Sequence, residues 1–73
     1  MAVQSVLSEI TGKVWKVLCP VGTQVGEEEP ILIIESMKME IPVLAPCAGR
    51  VASLQVGEGD DVSEGQQVAT VEC

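Results

Sequence analysis

The sequence predicts an all-β fold, a flattened antiparallel β-barrel or sandwich of about eight short strands with an internal pseudo-two-fold axis. Three observations predict it. Val, Ile and Leu dominate short runs that Gly or Pro interrupts, as at Gly12, Pro20, Pro30 and Gly49. No segment offers an uninterrupted amphipathic helix of about ten residues with start and stop signals. The chain also repeats itself: "GKVWKVLCPVGTQVGEEEPILIIE" (12–35) lies over "GRVASLQVGEGDDVSEGQQVATVE" (49–72) without a gap.

In that overlay Gly12 meets Gly49, Gly22 meets Gly59, Val25 meets Val62, Glu27 meets Glu64 and Glu35 meets Glu72. Apolar positions agree in kind, Val14 with Val51, Val17 with Leu54, Ile31 with Val68 and Ile34 with Val71. Two copies are too few for a solenoid, whose units need several neighbours to bury their faces. Two copies folded onto each other are the better reading.

The elements follow in order. Strands are expected near 2–7 and 13–18, the second past a pivot at Ile10–Gly12 with Val14 pointing inward by alternation. Gly22 supplies positive φ for a turn before a short strand at 24–26 carrying Val25. The run at 31–36 makes the next strand, and 39–44 follows with almost nothing between, the signature of a tight hairpin. The second copy repeats the pattern: a pivot at Cys47–Gly49, a strand at 49–55 with Val51 inward, a turn at Gly59, and strands at 61–63 and 68–72. Pro42 and Pro46 are expected at edges or turns.

Composition narrows the function. At 73 residues the chain is read as one domain, 1–73, and a chain this short buries only about 60% of its unfolded surface. It has no His, Tyr or Phe, and Trp15 is its single aromatic. That argues against His triads, His metal sites and base-stacking platforms. A net charge of −7 repels phosphate backbones and anionic lipid, so neither nucleic acid nor membrane is expected as a partner. No run approaches a transmembrane span, and Met1–Ala2–Val3 lacks the basic start of a signal peptide. Cys19, Cys47 and Cys73 are odd in number and form no C-x-x-C pair, so a disulfide framework is not expected and a reduced, cytoplasmic compartment is. The cysteines read as small core residues or, for Cys73, an incidental terminal thiol.

The segment "ESMKME" (35–40) stands between the two copies. Met37–Lys38 occupies the hairpin apex, where an amine on a stiff base is projected into solvent. The turn lacks the favoured Asn-Gly or Asp-Gly, so turn stability did not select these residues. Two exposed methionines there read as a recognition surface rather than gap filling. Trp15 reads as core or as a cover on a strand face, Glu27–Glu28–Glu29 as a solvated loop, and Lys13 and Lys16 as strand-exterior charges without a role.

With these residues in hand, the chain resembles the biotinyl domains of biotin-dependent carboxylases, and in length the standalone biotin/lipoyl attachment proteins. The likeness runs through "GKVW" (12–15), "IESMKME" (34–40), "APCAGRV" (45–51) and "VGEGDDVSEGQQV" (56–68). It implies a flattened eight-stranded barrel with covalent biotin on Lys38. It also implies that a biotin protein ligase reads Met37, Met39, Glu35 and Glu40. Biotin on that arm would carry carboxyl between biotin carboxylase and carboxyltransferase components, the chain itself being a carrier and not an enzyme. Departures from the family pattern are Ser36 where large carboxylases usually have Ala, Ser8–Glu9–Ile10 in place of Ser-Pro-Met, and the acidic Glu27–Glu29. Nothing inserted between Val17 and Ile31 could form the thumb of some bacterial carrier subunits. Lipoyl domains, similar in fold, carry an acid directly before the lysine; here that position is Met37, although Glu35 matches the lipoyl glutamate. Biotin is therefore favoured, with a lipoyl or dual biotin/lipoyl carrier and a lipoyl ligase as the alternative, and an unmodified interaction domain further behind.

Overall fold

The computed structural model describes residues 2–73 and contains eight β-strands and no helix among them. In chain order they are β1 (Val3–Leu7), β2 (Gly12–Val17), β3 (Gln24–Val25), β4 (Pro30–Ser36), β5 (Met39–Leu44), β6 (Gly49–Leu54), β7 (Asp61–Val62) and β8 (Gln67–Glu72). Every expected strand is present, with ends displaced by a residue or so. Two four-stranded antiparallel sheets face each other, in the orders β1-β8-β6-β3 and β5-β4-β2-β7.

The repeat is built by exchange. Short β3 of the first copy pairs with β6 of the second, and short β7 of the second pairs with β2 of the first. The turns before them dock the same way. Val14 N donates to Asp60 O and Gly59 N to Val14 O, while Val51 N donates to Thr23 O and Gly22 N to Val51 O. Gly22 and Gly59 hold φ of 95° and 91°, the left-handed region that glycine enters without steric cost. Neither copy can close its sheet without the other.

Between the sheets lies one apolar core. Val14, Ile31, Leu32 and Ile34 from the first copy meet Val51, Val68, Ala69 and Val71 from the second, all essentially inaccessible. Alternation sends their neighbours outward. Outer-face residues differ between the two sheets despite the repeat. Across β5, β4 and β2 they are Pro42, Ile33 and Lys16, with half-exposed Trp15 at a bulge beside them. Across β1, β8 and β6 the equivalent places hold Ser5, Thr70 and Ser53, the last two joined by a 2.6 Å hydroxyl contact. Trp15 thus covers a strand face, one of its two expected roles. Pro42 sits on edge strand β5 and Pro46 in the loop before β6, as proline's missing donor requires.

The cysteines depart from expectation. Cys19 is buried with a free thiol, but Cys47 and Cys73 form a disulfide across a Cα separation of 6.3 Å. Neither of the two is a lone core residue or an idle terminal thiol. Parity and spacing carried no sign of the pairing, because the partners meet only when β8 returns beside β6.

Candidate functional site: the β4–β5 hairpin

β4 and β5 register from Leu32↔Val43 through Ile34↔Ile41 and Glu35↔Glu40 to Ser36↔Met39, which leaves Met37 and Lys38 as the whole connection. Their φ values are 50° and 65°. Positive φ at both central residues is the type I′ arrangement, whose twist matches that of the flanking strands. It favours Asn and Gly; a residue with a longer side chain there costs roughly 1–2 kcal/mol. This apex therefore keeps Met and Lys against local preference. Met37 is 91% exposed and Met39 63%, with Lys38 also exposed between them.

One step below the apex, a row of charges crosses the outer face. Glu40, Glu35, Lys13 and Asp61 are successive cross-strand neighbours on β5, β4, β2 and β7. Lys13 is flanked by two carboxylates, which accounts for one of the chain's few cations. The one ion pair among the described residues is Arg50–Glu72 at 3.5 Å, on the other sheet, so Lys38 has no carboxylate partner there. All five residues expected at the site, Glu35, Met37, Lys38, Met39 and Glu40, lie together and exposed at this end.

Two features that anchor the hairpin went unread in the sequence. Ser36 Oγ donates to Thr11 O at 2.9 Å, and Thr11 Oγ1 accepts from Glu64 N at 3.1 Å, binding the hairpin base to the start of β2 and to the turn before β8. Gly12 makes this approach possible. A Cβ there would stand 2.8 Å from Ile34 Cγ2 and 3.2 Å from Ser36 Cβ. The repeat offered the signal, since Gly12 and Gly49 align and each adjoins the end of its copy's long strand.

The arrangement can present one primary amine, free of salt bridges, on a rigid two-residue turn. Among the described residues no ion pair involves that amine, and no cluster of metal-ligating side chains forms.

Residues 3–71 match the family described as "Biotin-requiring enzyme", whose model is that of biotin/lipoyl attachment. A biotinylated protein TB7.3 homolog of Mycobacterium leprae is 40% identical over 68 residues, covering 93% of this chain and 96% of that one. The biotin/lipoyl attachment protein of Bacillus subtilis is 42% identical over 57 residues, 78% of each chain. Among solved structures, Kluyveromyces lactis urea carboxylase superposes with a TM-score of 0.92 at 35% identity, over 99% of this chain. That match takes in 6% of the urea carboxylase, so the likeness is to one domain of a much larger enzyme. With the eight-stranded fold and the Met-Lys-Met hairpin described above, the chain belongs to the biotin/lipoyl attachment family.

Proposed function

We propose that this chain is a prosthetic-group carrier in which Lys38 bears biotin through an amide bond. The observation that supports it most is the turn itself: Met37 and Lys38 are held at positive φ where Asn-Gly would be more stable, and both are exposed. The amine fits the group, because Lys38 is exposed and takes part in no ion pair that an acyl arm would displace. Only a neutral amine attacks an acyl adenylate. The biotin protein ligase therefore supplies deprotonation and alignment, while this chain supplies position.

When bound, biotin carries carboxyl between biotin carboxylase and carboxyltransferase components. The residues of the chain act by tethering. A rigid hairpin and a long arm replace diffusion with a high local concentration at each partner's site. The net charge of −7 suits brief docking on basic rims and keeps the carrier soluble. Met37 and Met39 offer the ligase soft apolar contacts on both sides of the amine, with Glu35 and Glu40 framing them.

A lipoyl group on the same lysine is the second reading, favoured by Glu35, three residues before Lys38 as in lipoyl domains. Intact mass and peptide mapping of the protein purified from its native host decide between them. Biotin on the peptide containing Lys38 supports the carrier reading, lipoate there supports the second, and a bare lysine in cells supplied with both overturns the two together.

A further inference from the structure

The Cys47–Cys73 bond joins the residue two before Gly49, which opens β6, to the residue just after Glu72, which closes β8. In the repeat these positions correspond to Ile10 and Ser36. The same junction of the first copy is closed by the hydrogen bond from Ser36 to Thr11 O, whereas the second copy closes it covalently. Gly49 permits the approach as Gly12 does, for a Cβ there would stand 2.9 Å from Cys73 Cβ.

Besides its sulfur, Cys73 is held by one pair of backbone hydrogen bonds. Its N–H donates to Ala2 O at 2.8 Å and its carbonyl accepts from Ala2 N at 3.1 Å. Glu72 pairs with Arg50 in the β6–β8 ladder and through the 3.5 Å ion pair. Cys47 lies two residues before β6, whose first residue, Gly49, pairs with Val25 of β3. Both cysteines are partly exposed, and an open recess of about 670 Å3 between Gln24 and Glu72 adjoins the junction. β8 carries six residues, about 20 Å at the usual strand rise, and separates this end from the turn at Glu64 that touches Thr11 beside the hairpin.

We propose that Cys47–Cys73 is a reversible thiol–disulfide site, opened by a dithiol reductant in the folded protein and loosening the end of the fold remote from Lys38. One thiolate of the dithiol attacks a protein sulfur, the S–S bond breaks, and the other protein sulfur leaves and takes up a proton. The second thiol of the dithiol then displaces the first protein sulfur, giving two protein thiols and a cyclic disulfide, a two-electron exchange. A small-molecule disulfide restores the bond by the reverse route. The ladder keeps the two thiols in reach, so both redox states share one fold. Cys19 stands apart: burial, and then the charge of Glu29, push its thiol's pKa up, and its Sγ faces Pro30 O at 3.4 Å.

The test uses dithiothreitol on the whole chain without denaturant, followed by maleimide labelling, far-ultraviolet circular dichroism and amide hydrogen exchange. Two maleimides per chain are expected on Cys47 and Cys73, none on Cys19, with an unchanged spectrum. Exchange at the Ala2 and Cys73 amides should rise at least tenfold while that at Glu35–Glu40 stays within twofold, and oxidised dithiothreitol should reverse both changes. A Cys47→Ser, Cys73→Ser double variant should show the fast terminal exchange with no response to reductant. Labelling of Cys47 and Cys73 only after denaturant, loss of the spectrum on reduction, unchanged terminal exchange, or free Cys47 and Cys73 thiols in the air-oxidised protein would each overturn the proposal.

Discussion

The Ser36 hydroxyl donates a hydrogen bond to the carbonyl of Thr11 across 2.9 Å, joining the base of the Lys38 hairpin to the segment that leads into β2. The contact needs Gly12, which has no side chain to hold the two strands apart.

Gly12→Ala should therefore destabilise the fold by about 2 kcal/mol, in the range of overpacked cores, because the Glu35 backbone carbonyl and Ile34 Cγ2 must both give way. Ser36→Ala removes only an exposed hydrogen bond and should cost about 0.5 kcal/mol. Urea titrations of the two variants check the order. A smaller loss for the glycine variant would contradict this view of the hairpin base.

Position 28 tests the imperfect repeat. Gly65 sits at φ 84°, and its counterpart in the first copy, Glu28, is forced to φ 66°. Glu28→Gly should stabilise by about 0.5 kcal/mol, the relief of a left-handed residue less the added freedom of the unfolded chain. Gly65→Ala should destabilise by about 1 kcal/mol. Thermal melts of both read the sign directly.

Much of this fold is legible in the sequence, for a physical reason. The repeat doubles each signal, so Gly22 and Gly59, or Val14 and Val51, report the same turn and the same inward face twice. The hairpin is legible because its two strands abut. What the sequence hides is pairing between distant segments. The exchange of β3 and β7 between copies, the bond from Ser36 to Thr11 and the bridge from Cys47 to Cys73 all join residues that meet only in the folded chain. Counting cysteines misled because the buried Cys19 makes the total odd while the other two pair.

Ligase choice should turn on the charge at residue 37. Asp tolerates positive φ, so Met37→Asp should leave stability within about 0.5 kcal/mol of wild type. It should weaken biotinylation more than lipoylation, each measured against wild type with the respective ligase. Equal losses, or a loss confined to lipoylation, would remove residue 37 as the discriminator.

The disulfide closes a segment with a sequence separation of 26, and a loop of that size restricts the unfolded chain by about 3 kcal/mol. For a domain this small, each kcal/mol moves the melting temperature by about 4–8 °C. The Cys47→Ser, Cys73→Ser variant should thus melt at least about 12 °C below the oxidised wild type while remaining folded at 25 °C. Calorimetry of the two proteins, without reductant, makes the comparison.

Attachment at Lys38 is the central claim, and substitution of that one residue tests it most directly. Lys38→Arg keeps the charge and the exposed turn while removing the primary amine; Lys13, Lys16 and the amino terminus remain. Wild type and variant are incubated with biotin protein ligase, biotin and ATP, then probed with avidin and by intact mass. The account predicts one biotin per wild-type chain and none on the variant. Biotin on Lys38→Arg at the wild-type level would contradict it.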